Sequence, residues 1–321
     1  MGNGFDGQRA LVTGANGFLG AHLVRALARS GCAVHALVRR ESGLAALDDV
    51  PGITCWVGDV TDRASLTRCY DEIGPRVIYH LAGDTRARRF MGDWHLVDGA
   101  IQTNLIGTLN IARVAAESTE PPQVLVRVGG LEEYGSALPP FRENEREAPR
   151  SPYSASQVAA THFLQAIQAQ IPFAMITLRP TLIYGPGQSE DFLIPALIRS
   201  LLSGHRFALS SGEQRRDLLH VDDFVSGALA TFGRVDLAGA VLNLATGISL
   251  PIRDVATHIA DLIGAPDLID IGAAPGRAGD IIYLRGDASE AASRLGWLPE
   301  ISLEEGLRSL IAWHRREMVT A

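Results

Sequence analysis

Lysine is absent from the chain: all 29 residues of the Lys and Arg class in this 321-residue sequence are arginine. A genome biased toward G and C accounts for the general bias, but the absence also means that no ammonium side chain can act in any site of this protein. Cysteine is scarce. Cys32, Cys55 and Cys69 are an odd number at spacings unlike a zinc or CxxC motif, which points to a reducing compartment with buried thiols and to no metal site. Long apolar runs are missing too: no stretch approaches the length needed to cross a bilayer, and the first residues lack a charged-then-apolar signal pattern. Gly2 does not open a myristoylation motif, since Asp6 stands where Ser or Thr is required. A cytoplasmic protein with no membrane partner is expected. The net charge of −7 argues against nucleic acid, although local arginine clusters can hold a small polyanion.

What is present is an ordinary globular composition, 46% hydrophobic and 20% charged, long enough for one large or two interlocked domains. From about residue 8 to 180, short β-branched runs alternate with helical stretches, which predicts βαβ units around a parallel sheet. The expected strands are 9–13, 33–38, 53–57, 76–81, 124–128 and 173–178, with helices over 18–30, 63–72, 101–117 and 154–169. The fold class read from this rhythm is α/β, a doubly wound parallel sheet of Rossmann type with a smaller C-terminal α/β substrate lobe. The division is 1–180 for dinucleotide binding and 181–321 mainly for substrate, with segments returning to the first domain. The later part carries helices near 192–203 and 303–316, and the proline-rich loop 135–150 reads as a flexible rim over a cleft.

Residues 10–20 run from an apolar strand into Gly14, Gly17 and Gly20 at spacing three and then into a helix. The first glycine permits a tight turn, the second lets backbone amides approach a pyrophosphate, and the third lets helix and strand pack closely. An NAD protein places Asp or Glu at the end of the second strand, whereas this chain has Arg39 and Arg40, whose guanidinium forks match a 2′-phosphate. NADP is therefore expected ahead of NAD. No GxSxG nucleophile elbow is present to support a hydrolase.

These residues resemble the extended short-chain dehydrogenase/reductases, the NAD(P)-dependent epimerases, dehydratases and reductases of nucleotide sugars. The resemblance runs from Arg9 to about Trp313. It is carried in order by the glycine triad, Asp59, His80-Leu81-Ala82-Gly83, Asn104 with Gly107-Thr108, Tyr134-Gly135, Tyr153, Arg179-Pro180, Tyr184 to Gly187, Gly212 to Asp217, Val221-Asp222-Asp223 and Leu295-Gly296-Trp297. It implies that Asn16, Phe18, Leu19, Val60, Asn104, Pro180 and Ile183 border the cofactor, with Asp59 at the adenine and Leu81, Ala82 and Gly83 along the channel. It implies that Gly130, Arg216 and Arg277 meet a nucleotide-sugar substrate, the two arginines at its diphosphate. It also implies a homodimer through helices 101–117 and 154–169. Asp222 and Asp223 read as caps of the helix that follows.

The pattern breaks at the chemistry. The family's Ser or Thr is Gly130 here, its lysine four residues after Tyr153 is Gln157, and an Asn common in sugar-nucleotide members is Leu182. In the family the lysine holds the nicotinamide ribose and stabilises tyrosinate. A unit charge about 4 Å from a phenol, at an effective dielectric near 20, contributes on the order of 4 kcal/mol, or about three pKa units. Without it, and unless an arginine replaces the charge, Tyr153 stays a neutral phenol, a poor base and a usable acid. The expectation is an NADPH-dependent reductase of a 4-keto-deoxysugar nucleotide with Tyr153 as proton donor, Gln157 beside it and Glu132, next to Glu133, as a further proton-handling group. An NAD-dependent epimerase or dehydratase, and a non-catalytic dinucleotide-binding protein, are the alternatives. Arg86, Arg88 and Arg89 follow the fourth strand near the expected nicotinamide and read as a solvated cluster ahead of a proton-handling role, His80 as a hydrogen-bonded strand end and Trp94 as packing or as the rim of the cleft.

Overall fold

Apolar runs without polar alternation suit strands buried on both faces, the condition for a parallel sheet covered by helices. The computed structural model describes residues 4–276 and 281–320. Strands β1 (Arg9–Thr13), β2 (Ala33–Val38), β3 (Thr54–Val57), β4 (Val77–His80), β5 (Val124–Val128) and β6 (Ala174–Pro180) alternate with helices α1 (Phe18–Arg29), α2 (Arg63–Ile73), α3 (Trp94–Ala100), α4 (Gly107–Glu117) and α5 (Pro152–Ile167). The chain continues through β7 (Leu182–Tyr184), α6 (Leu193–Leu202), β8 (Phe207–Leu209), β9 (Arg215–His220), α7 (Val221–Leu229), β10 (Val241–Leu244) and β11 (Ser249–Pro251). It closes with α8 (Ile252–Ile263), β12 (Ile269–Ile271), β13 (Tyr283–Leu284), α9 (Ser289–Leu295) and α10 (Leu303–Thr320).

Seven strands form one parallel sheet in the order β10-β6-β5-β4-β1-β2-β3. Successive side chains of a strand point to opposite faces, and the two cores follow that period. Ala10, Val12, Val77, Tyr79, Val124 and Val126 pack with α1 and α7 on one face. Leu11, Ile78, Leu125 and Met175 pack with α2, α4 and α5 on the other. The α/β doubly wound fold with a smaller C-terminal lobe is as expected. In that lobe β9 pairs with β7, β11 and β13, and a third core joins α6, α8 and α10.

The chain after residue 180 also returns to the first sheet. β10 adds the edge strand beside β6, and Trp297 packs under α7 with its indole Nε1 donating to Asp223 O at 3.1 Å and Ser226 Oγ at 2.9 Å. The buried Asp223 carboxylate accepts from the backbone amides of Glu300 (2.9 Å) and Ile301 (3.1 Å), tying the last segment to α7.

Three sequence expectations differ in detail. The cap of α7 is His220, whose Nδ1 accepts from the Asp222 amide at 3.3 Å, because the strand runs into the helix two residues earlier than a cap at Asp222 would require. Loop 135–150 is fastened rather than free: Phe141 is fully buried and stacked 5.1 Å from Tyr134, Asn243 Nδ2 donates to Phe141 O (3.0 Å) and Glu143 accepts from Asn243 N (2.7 Å). Cys32 and Cys69 are buried, but Cys55 is exposed, since it lies on β3 at the open edge of the sheet. Among the described residues, no helix is long and apolar enough to cross a membrane.

Replacing Asp223 by Ala leaves two backbone N–H groups without their acceptors. Urea unfolding should register a loss of about 1–3 kcal/mol, with the midpoint shifted down.

Candidate active site

The strand order reverses at β1: the chain leaves it toward β2 and β3, then resumes on its other side at β4. Ligands of such sheets bind in the crevice at the carboxyl ends of the strands where this happens. Here those ends are Thr13 and His80. Gly14 turns there with φ +67°, and a Cβ on it would stand 2.7 Å from Ala82 N and 2.8 Å from the Leu81 carbonyl carbon. A Cβ on Gly20 would stand 2.1 Å from Gly14 O, so the helix can approach the turn this closely only with glycine. Gly17 opens α1 with no capping side chain and no acid in the first turn, which leaves the amide end around Phe18, Leu19 and Gly20 electropositive.

Around that cradle, Asn16 reaches over Gly43, and Arg39 and Arg40 are exposed beyond β2. Arg39 is close enough to help lower the Asp84 carboxyl, whose main cause of depression is its own hydrogen bond to Arg86. Asp59 accepts from Thr61 N (2.8 Å) and Oγ1 (2.9 Å), and Val60 is buried beneath Gly107. These parts, a glycine cradle, an uncapped helix end and exposed guanidiniums, fit a dinucleotide. Among the described residues, no group of three His, Cys, Asp or Glu side chains is placed to hold a metal ion.

The far wall is built from the end of β4. Buried His80 bridges Thr13 Oγ1 (2.8 Å) and Thr108 Oγ1 (3.1 Å), and burial pushes its imidazole down to about 3, so this chain of bonds is neutral. Thr13 Oγ1 accepts from Ala82 N at 3.2 Å, which sets the Leu81-Ala82-Gly83 segment beside Gly14. Asn104 lies in a π-helical turn, 101–106, between α3 and α4. Its buried amide accepts from Asp84 N (2.7 Å) and donates to Asp84 O (3.0 Å) and Ser156 Oγ (2.9 Å). Asn104 thereby clamps the loop after Gly83 to α5.

Helix α5 begins with Ser151 as N-cap, Pro152 in its first turn and a reciprocal bond between Ser151 and Ser154. This start fixes Tyr153 and, one turn on, Gln157 on the same buried face. Gln157 is held by a fully buried arginine on β5: Arg127 donates to the Gln157 side-chain Oε1, to Gln157 O (3.0 Å) and to Thr161 Oγ1 (2.8 Å). Gln157 Nε2 points the other way, 4.0 Å from where a Cβ on Gly83 would lie. Glu133, also fully buried, accepts from Arg179 (2.7 Å), Thr161 Oγ1 (2.8 Å) and Gly130 N (3.2 Å), and faces Arg127 at 3.9 Å. Arg179 also pairs with Glu147 at 2.7 Å. Glu133 is thus a structural counter-ion.

Glu132 differs. It is partly exposed and accepts from Arg88 Nε at 2.8 Å, while the Arg88 guanidinium carbon lies 4.2 Å from the centroid of the Tyr153 ring. Tyr153 is 5% exposed, and burial raises its phenol above the ordinary tyrosine value; Arg88 opposes that rise, Glu132 and Glu133 add to it, and Arg127 opposes it again. The side chain of Arg89 lies outside the described ones.

Gly130 has extended backbone, φ −179°, and a Cβ there would meet only Pro180 O at 3.8 Å. A serine would fit, so the glycine is not a steric requirement. Pro180 ends β6 buried beside it, and Ile183 packs at the edge of the first core. Arg216 is buried on β9 and donates to Arg215 O at 2.9 Å. Arg277 lies outside the described residues. Tyr283 stands between Arg215 and Arg285, each 5.6 Å from its ring. Sequence reasoning missed Arg127, for which a lone charge inside the apolar strand Val-Leu-Val-Arg-Val was the available signal, and it ranked Arg88 as solvated ahead of a role beside the nicotinamide.

Introducing the missing ammonium should harm this protein. Gln157→Lys sets a second cation against buried Arg127 and should lower stability by on the order of 3 kcal/mol in thermal unfolding, with much of the loss recovered by adding Arg127→Met. Gly130→Ser should change stability by less than about 1 kcal/mol in the same measurement.

The pattern of the NAD dependent epimerase/dehydratase family matches residues 10–245. The chain is 30% identical over 319 residues to UDP-glucose 4-epimerase of Mycolicibacterium smegmatis, covering 97% of this chain and 99% of that one. It is 30% identical to a dTDP-glucose 4,6-dehydratase of Streptomyces griseus (95% and 94% covered) and 28% identical to a GDP-6-deoxy-D-mannose reductase of Pseudomonas aeruginosa (96% and 98%). Among solved structures, MoeE5 in complex with UDP-glucuronic acid and NAD superposes with a TM-score of 0.86 at 30% identity, covering 96% of this chain and 99% of that one. The chain belongs to the NAD-dependent epimerase/dehydratase family, the extended branch of the short-chain dehydrogenase/reductases.

Proposed function

We propose that this enzyme interconverts nucleoside diphosphate sugars by transient oxidation and re-reduction at the sugar's C4, with NAD as cofactor and Tyr153 as the group that takes and returns the proton. The observation that carries this reading is the juxtaposition of Tyr153 and Gln157 on α5 with the Gly83 end of the dinucleotide crevice, Gln157 Nε2 facing Gly83. A nicotinamide bound there would accept and give back a hydride. The protein's part is to hold the sugar's hydroxyl against the phenol, to bind the diphosphate with Arg216 and Arg277, and to keep water from a site that is already largely buried.

Tyr153 has a cation beside it, since the Arg88 guanidinium lies 4.2 Å from the ring centroid and opposes the rise that burial imposes on the phenol, so a phenolate formed in the reaction is not left without a positive neighbour. The 4-epimerase and 4,6-dehydratase relatives at 30% identity, and the NAD held by MoeE5, support the reversible reading. Reduction of a 4-keto-deoxysugar nucleotide with NADPH is the second reading, favoured by the exposed pair Arg39 and Arg40 where a 2′-phosphate would sit and by the GDP-6-deoxy-D-mannose reductase relative. Dimerisation through the helical faces of 101–117 and 154–169 belongs to the same proposal; Ile101 and Phe163 are exposed there.

Incubation with UDP-, dTDP- and GDP-hexoses, with products resolved by chromatography, tests both readings. Appearance of the 4-epimer without net change in nicotinamide absorbance supports the first; stoichiometric NADPH consumption with a keto-sugar nucleotide replaces it by the second. Tyr153→Phe should lower turnover by about 10²–10⁴-fold with cofactor binding retained. Dinucleotide binding without turnover of any of these substrates would overturn both.

A further inference from the structure

Tyr153 has no ammonium neighbour because the chain contains none, yet a cation has been brought to it from another element. Arg88 belongs to the short turn 86–89 that follows the β4 loop. The turn is seated by packing: Ala87 is fully buried against Tyr153, Ala100 and the partly buried Leu96. From that seat Arg88 lies 4.2 Å over the Tyr153 ring and is tied by Nε to Glu132 at 2.8 Å. An ion pair with Glu132 alone would not require the guanidinium to lie over a phenol.

We propose that Arg88, braced by Glu132, is the positioning residue that stabilises the Tyr153 phenolate while a proton passes between the phenol and the substrate hydroxyl. The inference rests on the proton-transfer role given to Tyr153 above. The charges that face Tyr153 can be assigned element by element. From the 131–133 turn, Glu132 and Glu133 disfavour the phenolate; from β5, Arg127 favours it. Arg127 is already committed to Gln157, Thr161 and its counter-ion Glu133. Helix α3 turns apolar Leu96 and Ala100 toward the ring, with His95 and Asp98 exposed, and Arg86 is bound to Asp84. Arg88 is the strongest favourable influence among these, acting against burial. A guanidinium also keeps its charge throughout the working pH range.

The test uses the full chain and the ultraviolet absorbance of tyrosinate, read as the difference between each protein and the same protein carrying Tyr153→Phe. Arg88→Met should move the Tyr153 titration upward by about one to three pH units and carry the acid limb of the turnover profile up with it, lowering kcat more than it raises KM; Arg88→Lys should restore most of both. Arg88→Gln, which keeps a polar side chain on the turn without the charge, should move the titration up as well and gives a second reading should Arg88→Met fail to fold. Titrations of Arg88→Met or Arg88→Gln coincident with that of the wild type would overturn the proposal. Dinucleotide binding, followed by quenching of intrinsic fluorescence, is measured separately on the wild type: its absence would defeat the functional reading while leaving the phenol titration to judge Arg88.

Discussion

The buried carboxylate of Glu133 is the fixed point of this site. It is 1% exposed and gathers Arg179, Thr161 and the Gly130 amide, with Arg127 at 3.9 Å. Glu147 joins through Arg179, so two guanidiniums and two carboxylates balance inside the protein. Such groups are costly to desolvate, and removing one member leaves an uncompensated charge, a loss of about 3–5 kcal/mol. The network links β5, β6, the 131–133 turn and α5, the four elements whose relative placement sets Tyr153 and Gln157. It also explains why position 157 is not a lysine in this chain: an ammonium there would add a third cation to a balanced set.

The cofactor side is held by neutral groups instead. His80, kept uncharged by burial, links Thr13 on β1 to Thr108 on α4, and Asn104 ties Asp84 to α5. Neutral hydrogen bonds tolerate an arriving diphosphate without rearranging charge, whereas the positive end of α1 and the exposed Arg39 and Arg40 supply the attraction. The crevice is thus electropositive at its rim, with the Asp84–Arg86 pair as the charged group on the loop that follows Gly83.

The central strands were legible because parallel strands buried on both faces read as unbroken apolar runs, and the six expected strands agree with the observed ones to within two residues at each end. The glycine spacing was legible because each glycine answers a backbone contact that any side chain would block, as Gly14 and Gly20 show. β10 was not legible: Val-Leu-Asn-Leu is four residues long and follows glycine-rich turns, and only its register with β6 reveals it. Arg127 was inside a strand read correctly, but its partners lie 30 and 34 residues away on another helix, a pairing that periodicity cannot see. Arg88 looked like one of a solvated cluster because its neighbours Arg86 and Arg89 flank it in sequence; burial of Ala87 against Tyr153 is what turns it inward.

In the family that this chain resembles, one lysine donates to the cofactor ribose and charges the neighbourhood of the tyrosine. Here the two duties fall to separate groups. A guanidinium has no acceptor atom, so Arg127 can bind only the Oε1 side of the Gln157 amide, and the NH₂ is thereby forced to face the Gly83 end of the crevice. The donor is retained, at the place where the dinucleotide channel reaches the phenol, and its polarity is sharpened by the cation behind it. The charge comes from Arg88 on a different loop, braced by Glu132 rather than by the helix that carries Tyr153. Separating donor from charge lets each be set by its own packing, and it makes the ionisation of Tyr153 depend on the seat of one short turn, 86–89, instead of on the regular geometry of α5.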